Sequence, residues 1–269
     1  MRLRFGIMCN GATLAAWEAA CVRRLLAVDG VEGGALIVEK APPRVAVRWP
    51  LRKKAKTLLT SEKKLWLLYE RLFVEGRIPA LEPVEMPPPL ATLPRLECET
   101  VKQGKFSEYF KEADLDRIRA LNLDFILRFA FGIIRGGILT VPRYGVWSFH
   151  HDDEEKYRGG PPGFWEIYHG DPWTGSMLQR LTDRLDSGVV LRKALFPTVS
   201  RSFVRNRDAC LNGCTSWPAE VCEEILRGDV SRLLALPSRS SAPVCQSPGD
   251  WQLIRFVARI GMNRLLGRP

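Results

Sequence analysis

Two histidines stand side by side where an apolar run ends: Gly145-Val146-Trp147-Ser148-Phe149-His150 reads as a strand, and His151 opens the polar loop His151-Asp152-Asp153-Glu154-Glu155-Lys156-Tyr157-Arg158-Gly159-Gly160. Ser148 and His150 are two residues apart, so a strand puts both on one face. Asp186 follows in Leu185-Asp186-Ser187-Gly188, a turn between two strand-like runs. A histidine paired with an aspartate can take or give a proton near neutral pH, because the carboxylate orients the ring and favours its protonated form. A serine hydroxyl can donate to an oxygen that gains charge. The acid-rich loop offers several oxygens to a hard cation. Consecutive loop residues diverge, however, so no metal is expected and the loop reads as a polar, substrate-facing one.

The elements around these residues give them a place. Arg4–Cys9 is a short buried strand, Thr13 is placed to cap a helix through Val22, Leu25 and Leu26, and Gly34–Val38 is a second strand. This βαβ opening implies a parallel sheet with a right-handed crossover. The first turn holds one glycine, Gly11, so a dinucleotide fingerprint is unsupported. Leu123–Phe129 and Gly145–His150 read as further strands, with a short helix at Asp114–Leu121 and another after Pro161-Pro162. Thr174–Leu181 and Val189–Phe196 flank the turn that holds Asp186. The carboxyl ends of parallel strands are where open α/β sheets place ligands.

With these pieces in order, residues 123–191 resemble the catalytic domain of the 10-formyltetrahydrofolate-dependent formyltransferases, the family of glycinamide ribonucleotide, methionyl-tRNA and sugar N-formyltransferases. The family pattern is Gly-x-x-Asn-x-His, then Arg-Gly-x-x-Pro, Gly-x-x-x-Thr-Gly and Leu-Asp-x-Gly. Here it reads Gly145 to His150, Arg158-Gly159-Gly160-Pro161-Pro162, Gly170-Asp171-Pro172-Trp173-Thr174-Gly175 and Leu185 to Gly188. Two departures stand out. Ser148 replaces the asparagine, and the acidic run replaces a Pro-Ser-Leu-Leu-Pro segment.

The resemblance implies a Rossmann-like α/β fold with a mostly parallel sheet and a small, mainly helical C-terminal tail. It implies 10-formyltetrahydrofolate as formyl donor, His150 and Asp186 as catalytic residues, and Ser148 in the third catalytic position. Phe129, Phe131, Ile133 and Asp183 would meet the folate; Asn10, His151, Arg158 and Gly159 would meet the acceptor. Formyl transfer from a nitrogen to an amine passes through a tetrahedral oxyanion, so it needs a proton acceptor and donors aimed at that oxygen. Hydrolysis of a formyl-folate would use the same scaffold.

Composition sets the remaining expectations. The chain has 269 residues and a net charge of +10. Residues 44–64 carry eight lysines and arginines against Glu62 alone, and residues 251–269 carry four arginines and no acid. Such segments favour phosphate-bearing partners or an anionic membrane face. With the amine acceptor that the resemblance implies, the expected acceptor is a small or phosphate-bearing amine. The alternative is a catalytically silent module docked on an anionic membrane or a partner; nucleic acid is not expected, because the tail has no β-barrel pattern. Seven cysteines without a Cys-x-x-Cys pair suit a reducing compartment. With no signal-peptide pattern and no long apolar run, the expected location is the cytoplasm. Residues 1–200 are expected to form the catalytic domain, with a basic and helical insertion at 44–75 and a Pro-rich stretch at 79–94. Residues 201–269 form the extension.

Overall fold

The computed structural model describes residues 1–40, 63–104, 107–183 and 188–268. Asp186 and the basic residues of the insertion before Lys63 lie outside these.

Seven strands form the central sheet: β1 (Leu3–Cys9), β2 (Val31–Glu39), β3 (Arg95–Cys98), β4 (Phe125–Arg128), β5 (Val146–His150), β6 (Trp173–Arg180) and β7 (Val189–Pro197). Their order is β7-β6-β5-β4-β1-β2-β3. β1 pairs in parallel with both β2 and β4, and β4 in parallel with β5. β6 is antiparallel to β5 and to β7. The chain thus winds outward from β1 in one direction and then the other, which leaves a crevice at the carboxyl ends of β1, β4 and β5. The fold is the expected α/β one, with a mostly parallel sheet.

Strand alternation divides the core in two. Phe5, Ile7, Phe125, Leu127 and Trp147 face one side, where Phe125 stacks on Trp147 at 4.0 Å. Helices α1 (Ala16–Leu26), α5 (Phe203–Gly213), α6 (Trp217–Leu226) and α7 (Asp250–Leu265) supply buried residues to this same cluster. Met8, Ile37, Ile126 and Val146 face the other side, covered by Leu115 and Ile118 of α3 (Glu112–Arg119) and by Ile134 and Ile138. Ile134 belongs to a small three-stranded sheet of Thr100–Gln103, Ser107–Phe110 and Ile133–Arg135.

Several local expectations change. Thr13 does not cap α1; Thr13–Ala15 pairs antiparallel with Pro83–Glu85, and Glu18 accepts from the Ala15 N–H at 2.9 Å instead. The Pro-rich stretch is folded onto the body, with Ile78, Ala80 and Leu90 buried. The helix expected at Ser61–Phe73 appears as α2 (Lys64–Tyr69) followed by a π-turn at Glu70–Val74. Helical spacing puts Leu65, Leu68, Tyr69 and Leu72 on one apolar stripe, but the three leucines are exposed; Tyr69 packs against Phe203 and Phe256, and Trp66 is buried against Phe164 and Phe203. Aromatic rings bury more area than leucines, so they take the core-facing side. Past residue 200 the chain is more regular than its polar sequence suggests, because Ser202 caps α5 by accepting from the Arg205 N–H.

Candidate active site

The site is built from the ends of β4 and β5. In the register of the sheet, Arg128 lies opposite Ser148, and both occupy the face that carries Ile126 and Val146. His150 follows on that face at the carboxyl end of β5, with its side chain about one quarter exposed. Ser148 is buried. Its Oγ accepts from Arg128 Nε at 3.3 Å, so the short hydroxyl is covered by a guanidinium. Arg128 is held from the other end as well: Nη1 donates to the carbonyls of Phe131 and Gly132, each at 2.9 Å. Burial pulls the Arg128 pKa down, and nearby Glu108 pushes it back up. Arginine stays charged under such conditions. A fixed cation therefore sits beside the position of the family asparagine. Sequence reading placed Arg128 in a strand and gave it no role; a lone arginine that ends an apolar strand was the available signal.

His150 has a carboxylate neighbour within the described residues. Its Nδ1 lies 3.9 Å from Oδ1 of buried Asp152, whose Oδ2 accepts from the Gly159 N–H at 3.1 Å.

His151 goes the other way. Its ring meets the edge of Trp17 at 5.2 Å between centroids, lies parallel to Phe149 at 6.1 Å, and has Nδ1 3.4 Å from Ser176 Oγ. Burial, with His150 and Arg207 adding to it, holds its pKa down at about 3, so the ring is neutral. The structure packs this residue on the helix side, where the sequence reading gave it to the acceptor.

The acidic loop also turns inward. Asp153, Glu154 and Glu155 converge on Lys193 Nζ of β7 at 2.8, 3.1 and 3.4 Å, and Asp153 and Glu154 are buried. Burial alone would lower the Lys193 pKa, but the hydrogen bonds to Asp153 and Glu154 outweigh it and raise the value. The loop lies so close to β6 that a Cβ on Gly175 would fall 2.7 Å from the Asp153 backbone. Only glycine fits there, which gives the Thr174-Gly175 pair a physical reason.

The other expected residues are spread around this centre. Asn10 is exposed at the carboxyl end of β1. Arg158 Nη1 donates to the carbonyls of Ser240 and Ala242, and Arg158–Gly159 pairs in parallel with Val244–Cys245. These two residues bind the C-terminal stretch. Phe129 packs into the helix-side core, edge-on to Trp17 at 5.5 Å. Phe131, at a φ of 66°, lies against Phe110, and Ile133 is exposed. The Asp183 carboxylate accepts from the Gly136 N–H at 2.9 Å, and its carbonyl accepts from Arg135. Asp183 thereby ties the loop before β7 to the end of the small sheet.

Comparison with known proteins bears on the fold and on part of the sequence. No family model matches the chain. In sequence it is similar to methionyl-tRNA formyltransferase from Agathobacter rectalis, 36% identical over 83 residues, which are 30% of this chain and 27% of that protein. It is also similar to methionyl-tRNA formyltransferase from Ehrlichia canis, 32% identical over 123 residues, 45% of this chain and 38% of that protein. Over these stretches the chain is similar to formyltransferases. It spans roughly a quarter to two fifths of the length of these curated relatives. In fold it is similar to glycinamide ribonucleotide transformylase from Symbiobacterium toebii, with a TM-score of 0.52 at 13% identity over 84% of this chain and 89% of that one. Phosphoribosylglycinamide formyltransferase from Anaplasma phagocytophilum gives 0.52 at 12% identity, covering 85% and 89%. The formyltransferase fold thus extends well beyond the stretch in which sequence similarity is visible.

Proposed function

We propose that the chain transfers a formyl group from 10-formyltetrahydrofolate to the amine of a small, often phosphate-bearing, acceptor. The observation that carries this reading is the position of His150. It stands at the carboxyl end of β5, beside the crevice where the strand order reverses, with Arg128 of β4 and Ser148 of β5 hydrogen-bonded on the same sheet face.

Each group has a task. His150 takes the proton from the attacking amine at a ring nitrogen as that amine bonds to the formyl carbon, and gives it to N10 of the folate as the N10–formyl bond breaks; Asp186 orients it as the family resemblance implies. Asp152, 3.9 Å away, adds a second negative charge that favours the protonated ring. The Arg128 guanidinium faces the formyl oxygen and holds its negative charge, with Ser148 fixing the guanidinium. Removing one such donor typically costs on the order of 10²–10³ in rate. Asn10, at the end of β1, contacts the acceptor.

The folate supplies the formyl carbon. The described residues fit it in part. Phe131 and Ile133 remain beside the crevice to flank a pterin, whereas Phe129 is committed to the core. Asp183 contributes by holding the neighbouring loop.

Titration calorimetry with 5-formyltetrahydrofolate, a stable reduced folate, tests the reading. Saturable binding that is retained in Ser148→Ala is expected. Absence of binding at millimolar ligand would overturn it and favour a catalytically silent module.

A further inference from the structure

Helix α7 is apolar on two opposite sides. Leu253, Phe256, Ile260 and Asn263 form the buried stripe, with Phe256 stacked on Phe164 at 4.2 Å and edge-on to Phe203. The outward side carries Trp251, Ile254, Ala258, Gly261, Met262 and Leu265. At 100° per residue these six fall within an arc of about 100°, opposite the buried stripe. Trp251 is 71% exposed and Leu265 is 90% exposed, and Ile254 and Met262 are exposed too. A surface helix ordinarily presents charge on that side.

Charge is present, but at the margins. Arg255 sits over the Tyr168 ring at 5.3 Å and Arg259 packs beside Gly170, both on one flank. Arg264 occupies the other flank, where its Nε donates to the Arg201 carbonyl at 2.9 Å. Residues 251–268 contain four arginines and no acid. The apolar surface continues sideways, because exposed Val257 and Phe73 both line a groove of about 500 Å³ whose other cations are Arg77 and Arg264.

We infer that this face of α7 docks on an anionic membrane surface. An apolar arc between arginine rows, with an exposed tryptophan, is the pattern of a helix that lies in a lipid interface. No helix among the described residues is long and apolar enough to cross a membrane, so the helix lies on the bilayer. A second copy of the chain is a poorer occupant. Pairing the same arc about a two-fold axis would bring the arginine margins of both copies together, and the one acid of the helix, Asp250, already accepts from the Leu65 N–H at 2.9 Å. Anionic lipid headgroups answer all of them.

Co-sedimentation of the full chain with vesicles tests this. Vesicles of phosphatidylcholine containing phosphatidylserine should bind the chain, pure phosphatidylcholine vesicles much less, and high salt should release it. Arg255→Gln with Arg259→Gln should weaken binding by about thirtyfold, near tenfold per 1.4 kcal/mol. Ile254→Glu with Met262→Glu should abolish it. These positions face outward, so an unchanged thermal midpoint confirms folding. Equal binding to both vesicle types, or to neither, would overturn the inference. A dimer in solution that Ile254→Glu dissolves, with no vesicle binding, would assign the face to a second copy instead.

Discussion

His150 and His151 share a peptide bond and occupy different media. His150 is partly exposed and shares its strand face with Ser148 and Arg128. His151 is half-buried against Trp17, Phe149 and Ser176, and burial lowers its pKa. The difference comes from strand alternation where the sheet ends, and it divides labour. On the proposed function, groups on the His150 side handle the proton and the developing charge, and those on the His151 side hold the site's wall. Lys193, with its three carboxylates, lies on the His150 face, since His150 pairs with Met177 and Met177 with Lys193.

The comparison breaks first at His150. On the proposed function, His150→Ala should lower turnover of 10-formyltetrahydrofolate by about 10²–10⁴, the usual contribution of a general base, and leave the thermal midpoint almost unchanged. His151→Leu should do the reverse, shifting the melt while keeping turnover within a few-fold. Equal losses of turnover in both variants would erase the division.

Arg128 sharpens the same side. Arg128→Met should lower turnover by about 10²–10³ with 5-formyltetrahydrofolate binding retained, and Arg128→Lys should recover part of it as a point charge without the fork. A rise in the dissociation constant that matches the loss in rate would make Arg128 a binding group only.

On the helix side the expected effects concern pH and stability. Glu166 of α4 (Phe164–His169) is buried, and burial raises its pKa to about 7. The folded chain then binds this proton more tightly than the unfolded chain, so stability falls as pH rises from about 4.5 through 7. Glu166→Gln should remove that slope, a gain of about 2–3 kcal/mol at pH 8 in urea melts. His151 acts oppositely. Its folded pKa is depressed, so stability is full above about pH 6.5 and is lost as pH falls towards 3, by about 2 kcal/mol at pH 5. His151→Leu should flatten this acid limb, and an unaltered limb would place the titration elsewhere.

What could be read from the sequence depended on whether a residue's role is local. The βαβ opening, the strand ending in His150 and the hairpin of β6 and β7 come from periodicities of a few residues, and they lie where those periodicities place them. The identity of β5's neighbours does not, because the contact between Arg128 and Ser148 joins residues twenty positions apart. The acidic run looked like a solvated or substrate-facing loop, since its countercharge, Lys193, lies some forty residues downstream. Trp66 displaced the expected leucine stripe for a similar reason: its partners Phe164 and Phe203 are far away in the chain.

The pairing of Arg158–Gly159 with Val244–Cys245 has a consequence for when the site comes into being. The wall beside His150 is fastened by backbone that is translated nearly ninety residues later, through Ser240, Ala242 and Cys245. The last strand of the central sheet, β7, ends at Pro197, so every strand of that sheet has been translated before this fastening is. Until then the Arg158–Gly159 end of the loop lacks its backbone partners, whereas Lys193, translated earlier, is already available to Asp153 and Glu154.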